Sequence, residues 1–154
     1  MIIKEVDYRV ATLFLQKWHY SPIIPKLTKH WLGCYVDDEL VGVLSLGWGT
    51  RPKHTIQVLF PELTSADYFE IGKMAMTDDM PKNSESQMLS LVIKWIRQHL
   101  RIKYLFTWAD GIVGKVGYVY QSANFLYGGF SETDLYLSLI HISEPTRPLY
   151  ISYA

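Results

Sequence analysis

Val6, Val10, Leu13, Phe14 and Trp18 recur at helical spacing, with Asp7, Arg9, Gln16 and Lys17 mainly between them. This predicts an amphipathic helix that ends near His19-Tyr20, because Ser21 precedes Pro22 and a residue before proline avoids helical backbone. After a Pro-containing loop, His30 to Val36 reads as a strand, Asp37-Asp38-Glu39 as a turn, and Leu40 to Gly47 as the returning strand of a hairpin. Trp48 to Thr55 is a polar loop before a short apolar stretch, Ile56 to Phe60. Tyr68 to Thr77 forms a third long strand, broken by Asp78-Asp79-Met80-Pro81. The clearest helix follows. Ser84 and Gln87 have the spacing of a capping box, and Met88, Leu89, Val92, Ile93, Ile96 and Leu100 make one apolar face opposite Lys94, Arg97 and Gln98.

Lys103 to Ala109 is a buried-type strand running up to Asp110, followed by a loop punctuated by Gly111, Gly114 and Gly117. Tyr118 to Tyr127 suits a short helix stopped at Gly128-Gly129, and Asp134 to Ile140 a last strand. The strand–helix–strand crossover in the middle implies parallel pairing, whereas the hairpin adds antiparallel pairing. The expected fold class is therefore α/β, a mixed twisted sheet with helices on both faces.

A chain of 154 residues that is 49% hydrophobic suits one compact domain with its own core. A lone cysteine, Cys34, forms no intrachain disulfide and excludes a zinc site built on paired cysteines. A cytoplasmic location is expected, since no apolar run approaches a membrane span and Met1 to Glu5 lacks the layout of a secretion signal. Fifteen basic and fifteen acidic residues leave no net charge. A nucleic-acid contact would then depend on local patches such as Lys94, Arg97, His99, Arg101 and Lys103, or Arg51, Lys53 and His54; each is equally a solvated face.

Five segments can carry chemistry. The turn from Met80 to Glu85 enters a helix N-terminus, where free N–H groups and the positive dipole end attract anions; Lys82, Ser84 and Ser86 add donors, although an ordinary capped helix needs the same residues. Gly111-Ile112-Val113-Gly114-Lys115 lacks the Gly-Lys-Ser/Thr ending of a nucleotide phosphate loop. Asp110 stands where open α/β sheets bind ligands, at the carboxyl end of a strand, or simply turns the chain. His19 is a candidate base or metal ligand, or else a helix-end cap. Tyr120 can protonate a leaving thiolate or serve as core.

Taken in order, Trp18-His19-Tyr20-Ser21, Glu70-Ile71-Gly72-Lys73, Pro81-Lys82-Asn83-Ser84-Glu85-Ser86, Trp108-Ala109-Asp110, Tyr120-Gln121-Ser122-Ala123-Asn124-Phe125 and Tyr127-Gly128-Gly129 resemble the Mom-type DNA modification family of phages and prophages. The match runs from about Phe14 to Tyr136. The resemblance implies a GCN5-type N-acetyltransferase-like fold and an acetyl-CoA site between two splayed central strands. It also implies double-stranded DNA as partner, adenine given an N6-methylcarbamoyl-type group as product, and protection from restriction as purpose. Iron is associated with the family, and the sequence places no ligands for it. Lys73, Lys82, Asn83, Ser84 and Ser86 would hold the coenzyme, and Asp110 would orient or deprotonate the acceptor amine. Tyr120 would stabilise the thiolate, and His19 and Tyr20 would line the acceptor side. One departure is plain: acetyltransferases grip pyrophosphate with a glycine-bearing turn, whereas Met80 to Ser86 contains no glycine.

Two other readings fit the same residues: an ordinary N-acetyltransferase acting on a small amine or protein, which neutral charge favours, and a non-enzymatic binding domain. The stretch from Ser138 to Tyr150 is unlike the family and resembles a sequence recurring at the ends of unrelated predicted proteins. The expected organisation is a domain over residues 1–138 and a non-native tail over 139–154 that adds little to the core, in place of a native C-terminal part.

Overall fold

The computed structural model describes residues 1–19, 27–49, 52–54, 56–108, 126–132, 135–137, 140–142 and 146–153. In chain order these form β1 (Ile2–Glu5), α1 (Tyr8–Trp18), β2 (Thr28–Val36), β3 (Glu39–Gly47), a one-turn α2 (Ile56–Leu59), β4 (Tyr68–Met76), α3 (Ser84–His99), β5 (Tyr104–Trp108), β6 (Leu126–Glu132), β7 (Leu135–Leu137), β8 (Ile140–Ile142) and β9 (Thr146–Tyr153). Seven strands make one sheet in the order β1-β2-β3-β4-β5-β9-β6, and β7 pairs with β8 apart from it. Within the large sheet β4 and β5 run parallel and every other neighbouring pair runs antiparallel. The mixed sheet expected from the strand–helix–strand order is thus present.

Helices cover both faces. On one, α3 lays Met88, Leu89, Val92, Ile93 and Ile96 over Leu32, Cys34, Leu44 and Leu46. On the other, Ala11 and Leu15 of α1 meet Val43 and Ala75. Val43 and Leu44 are sequence neighbours on opposite faces, as the period-2 pleat requires. The hairpin turns on Asp37 and Asp38, both at positive φ (51° and 63°). That is the twist a two-residue turn needs to match its strands, and Asp tolerates it better than most residues.

Several elements differ from expectation. β1 was not anticipated; it is an edge strand in register with Leu32–Tyr35 of β2. In α1, Val10 and Leu13 are exposed while Ala11 and Leu15 are fully buried, so the core-facing stripe is rotated from the predicted one. The stretch from Ile56 is a helical turn whose Ile56 packs with Tyr68 and Phe106. Leu126 to Gly129, expected as the end of a helix and its stop, lie within β6, and the expected strand over Asp134 to Ile140 divides between β7 and β8. The tail also behaves differently from expectation. β9 is inserted between β5 and β6, hydrogen-bonded to both, and Ile151 packs against the Tyr68–Phe106 cluster. An eight-residue strand there pairs its backbone on both sides, and that gain in hydrogen bonding recruits it.

Candidate functional site: a cleft beside the fourth strand and the mouth of the third helix

β4 and β5 pair only from Tyr68 to Ile71 against Tyr104 to Thr107. Beyond Ile71, β4 continues to Met76 without a strand partner on the β5 side among the described residues. β5 extends only one residue past that ladder, to Trp108, so from Gly72 onward the backbone groups on this side of β4 meet no described strand. Such an unpaired edge can accept an extended, amide-bearing ligand as a further strand. This stretch starts at a bulge. Ile71 lies opposite Leu46 and Met74 opposite Leu44, so Gly72 and Lys73 together face Ser45. The Lys73 N–H donates to Ser45 Oγ at 2.9 Å.

From β4 the chain turns into α3. At that mouth Met76, Thr77, Asp78, Met80, Pro81, Lys82, Asn83, Ser84, Glu85 and Ser86 enclose a cavity of about 430 Å³. Lys82, Asn83, Ser84 and Ser86 are thus brought together as expected, whereas Lys73 lies outside this cavity, on the strand. The expected capping box is not formed. Asn83 is the N-cap in left-handed backbone (φ 69°), and its side chain makes no capping bond. Ser84 starts the helix, its hydroxyl donating to the Pro81 carbonyl at 2.6 Å and its N–H to the same oxygen at 3.2 Å. The Pro81–Ser84 turn therefore uses the donors of Ser84. Helix geometry leaves the N–H groups of Glu85 and Ser86 without an intrahelical carbonyl, so these aim at the cavity mouth beside exposed Lys82. Sequence reasoning missed Thr77. Its Oγ1 is buried at the cavity wall with no hydrogen-bond partner among the described residues, a donor held in reserve.

A second polar group lies on the sheet face opposite α3. Alternation along β4 puts Phe69, Ile71, Met74 and Met76 with the α3 core, and the bulge keeps Met74 in step. Tyr68, Glu70, Lys73 and Ala75 take the other face. Tyr68, Glu70 and Lys73 are all buried, at 0%, 5% and 8% exposure. Burial lowers the Lys73 amine below its ordinary value. Burial, with help from the neighbouring Glu70 charge, raises the Tyr68 phenol. Gly49, at φ +67°, lies against the Glu70 carboxylate so closely that an added Cβ would collide with Oε1.

His19 is the C-cap of α1, its N–H donating to Leu15 O at 2.9 Å. Tyr20, Asp110 and Tyr120 lie outside the described residues. Among the described residues no group of three or more His, Cys, Asp or Glu side chains gathers as a metal would require. No helix among them is long and apolar enough to cross a membrane.

A mixed sheet with one parallel pair, β4 and β5, joined through α3, is the arrangement of the N-acetyltransferase-like fold. The protein is similar to an Elizabethkingia anophelis GNAT family acetyltransferase with acetyl-CoA bound, with a TM-score of 0.63 at 13% identity over 99% of this chain and 97% of that one. It is also similar to an aminoglycoside acetyltransferase in complex with coenzyme A and kanamycin, with a TM-score of 0.65 at 9% identity over 99% and 94% of the two chains. Residues 1–146 match the Mom protein family, and the chain belongs to it. The methylcarbamoylase Mom of Escherichia phage Mu is 32% identical over 135 residues, 87% of this chain and 56% of that protein, so the chain spans about half the length of this relative.

Proposed function

We propose that this chain is the acetyltransferase-like domain of a phage or prophage enzyme that uses acetyl-CoA to convert adenine in double-stranded DNA to N6-methylcarbamoyl-adenine, shielding the DNA from restriction. The observation that carries the reading is the coincidence of Mom family membership with a β4 that outruns β5 and leads to the cavity at the mouth of α3.

In this reading the N–H groups of Glu85 and Ser86, the Ser86 hydroxyl and the Lys82 amine hold the coenzyme's pyrophosphate, with Asn83 and Ser84 shaping the turn that presents them. The Thr77 hydroxyl is placed to donate to the same ligand. The edge of β4 past Ile71 pairs with the amides of the pantetheine arm, and Lys73 marks the bulge where that edge begins. The bound coenzyme supplies an activated two-carbon unit. Asp110 orients or deprotonates the acceptor amine, Tyr120 protonates or stabilises the departing thiolate, and His19 and Tyr20 line the acceptor side. The product carries an amide nitrogen and a bond from N6 to the methyl-derived carbon, so beyond acetyl-CoA the conversion needs a donor of ammonia-level nitrogen and a two-electron oxidant. The roles assigned to these residues are accordingly binding, orientation and proton handling.

Mass analysis of nucleosides from cells expressing the protein tests the reading: modified adenine is the expected result, and unmodified DNA together with an acetylated small amine or protein supports the ordinary N-acetyltransferase instead. Neutral net charge is the feature that favours that second reading. The coenzyme site has its own test. Lys82→Ala is expected to weaken CoA binding by about 1 kcal/mol, roughly fivefold in Kd, because an exposed charge-assisted contact sits at the low end of its range. Asp110→Asn is expected to spare CoA binding and reduce turnover.

A further inference from the structure

The face of the sheet opposite α3 carries two apolar clusters with a polar interval between them. At one end Tyr68 packs with Ile56 and Phe106. At the other Ala75 packs with Ala11, Leu15 and Val43. Between these ends, on the same strand and face, stand Glu70 and Lys73, both nine-tenths buried. Burying an acid, an amine and a phenol on one face between two apolar flanks costs more than packing hydrocarbon there. The Tyr68 hydroxyl is buried with no hydrogen-bond partner among the described residues, and an orphaned donor of that kind calls for a ligand or an ordered water. The interval also spans the end of the β4–β5 ladder at Ile71, beside the stretch of β4 that continues toward the mouth of α3. Gly49 has no Cβ, which is what lets the loop after β3 close directly over the Glu70 carboxylate.

We propose that Tyr68, Glu70 and Lys73 form the acceptor subsite and select a neutral edge that offers a hydrogen-bond donor beside an acceptor, the pattern of the 6-aminopurine edge. The inference rests on the adenine reading above and adds to it the residues that recognise the base. The charge composition carries the choice of ligand. One carboxylate and one amine sum to no formal charge, and together with a phenol they offer both acceptors and donors. A pocket for an aliphatic ammonium needs acceptors only, and a lysine within it would repel the ligand. Adenine presents its N6–H to Glu70 and its adjacent ring nitrogen to Lys73 or Tyr68. These residues thereby fix the amine toward the acetyl end of the coenzyme.

The test compares wild-type protein with Tyr68→Phe, Glu70→Gln and Gly49→Ala by three measurements: melting temperature, CoA affinity, and rate of adenine modification on a duplex oligonucleotide. Tyr68→Phe is the decisive variant, because it removes an oxygen that bonds to no described protein group. It is expected to keep or raise the melting temperature, leave CoA affinity unchanged and lower the modification rate by about tenfold, the value of one lost hydrogen bond to the base. Glu70→Gln keeps shape and removes charge, with a larger loss expected. Gly49→Ala leaves Glu70 in place but pushes its carboxylate aside, and is expected to lower modification without affecting CoA. Full modification rates in Tyr68→Phe and Glu70→Gln would overturn the proposal while leaving the adenine reading intact. Absence of modified adenine from the wild-type protein would overturn the adenine reading, and this inference with it. Tighter binding of an aliphatic diamine than of the oligonucleotide would also overturn it.

Discussion

A lysine amine taken out of water loses hydration that a methionine side chain of similar length never had. Burial holds Lys73 below its ordinary value of 10.5, and the unfolded chain keeps that ordinary value. Between the two values the unfolded state binds more protons, so stability rises with pH across that window; below it the full penalty applies. Lys73→Met is therefore expected to raise the melting temperature at pH 7, with the advantage shrinking as pH climbs toward 10.5. Thermal melts of both proteins across that range check the sign. Cys34 makes a complementary case: burial pushes its thiol up to about 11, with the N-terminal ammonium pulling weakly the other way. Native protein is expected to resist thiol reagents at pH 8 and to react at its single cysteine once unfolded in guanidinium. Fast labelling of the native state would contradict the burial. At this scale the sequence was only half legible. Glu70-Ile71-Gly72-Lys73 stood out as a segment, yet strict alternation from Glu70 puts Lys73 on the α3 face with the core. Only the bulge turns it to the opposite face, and Gly72 is its sole local sign.

Helices show why a face is harder to read than an element. The stretch from Val6 to Trp18 carries so many apolar residues that two stripes compete. Of the predicted stripe, Val6, Phe14 and Trp18 pack, whereas Val10 and Leu13 face solvent and Ala11 and Leu15 take the buried centre in their place. That rotation keeps Lys17 out of the core and lets Thr12 bond back to the Tyr8 carbonyl at 2.8 Å. Leu15→Ala is expected to cost about 2–5 kcal/mol, the usual range for a fully buried leucine. Leu13→Ala should stay within about 0.5 kcal/mol of wild type. Urea titrations of the two variants separate the stripes, and equal losses would refute the packing seen here. α3 was legible almost entirely, because Met88 to Ile96 leave one apolar stripe and no rival. Its start was less so. Ser84 has the right residue type for a cap, but the Pro81 turn claims its hydroxyl and gives the cap position to Asn83.

For the molecule as a whole, the mixed architecture followed from element order, whereas the place of the last strand did not. No periodicity announces that Thr146–Tyr153 enters between β5 and β6, since the pairing is long-range and depends on which edges remain open. Because β9 hydrogen-bonds on both sides and Ile151 adds to the Tyr68–Phe106 cluster, removing residues 146–154 should lower the melting temperature by many degrees and expose β5. Differential scanning calorimetry of the truncated and intact chains reads this directly, and superimposable melts would show that β9 contributes nothing. The candidate site divides in the same way. Lys82, Asn83, Ser84 and Ser86 were legible because one turn holds them, while Thr77 and Tyr68 are marked only by unsatisfied hydroxyls that no sequence displays.

That insertion also has a consequence for synthesis. A ribosome releases β4 and β5 well before β9, and among the described residues β6 pairs in the large sheet with β9 alone. Until residues near Thr146 emerge, the nascent sheet ends at β5, an apolar strand with one row of amides and carbonyls still bare. The waiting interval is when the chain is most open to capture by a holding chaperone or by another nascent copy. Slower translation upstream of β9 would lengthen that exposure without altering a single contact of the finished protein.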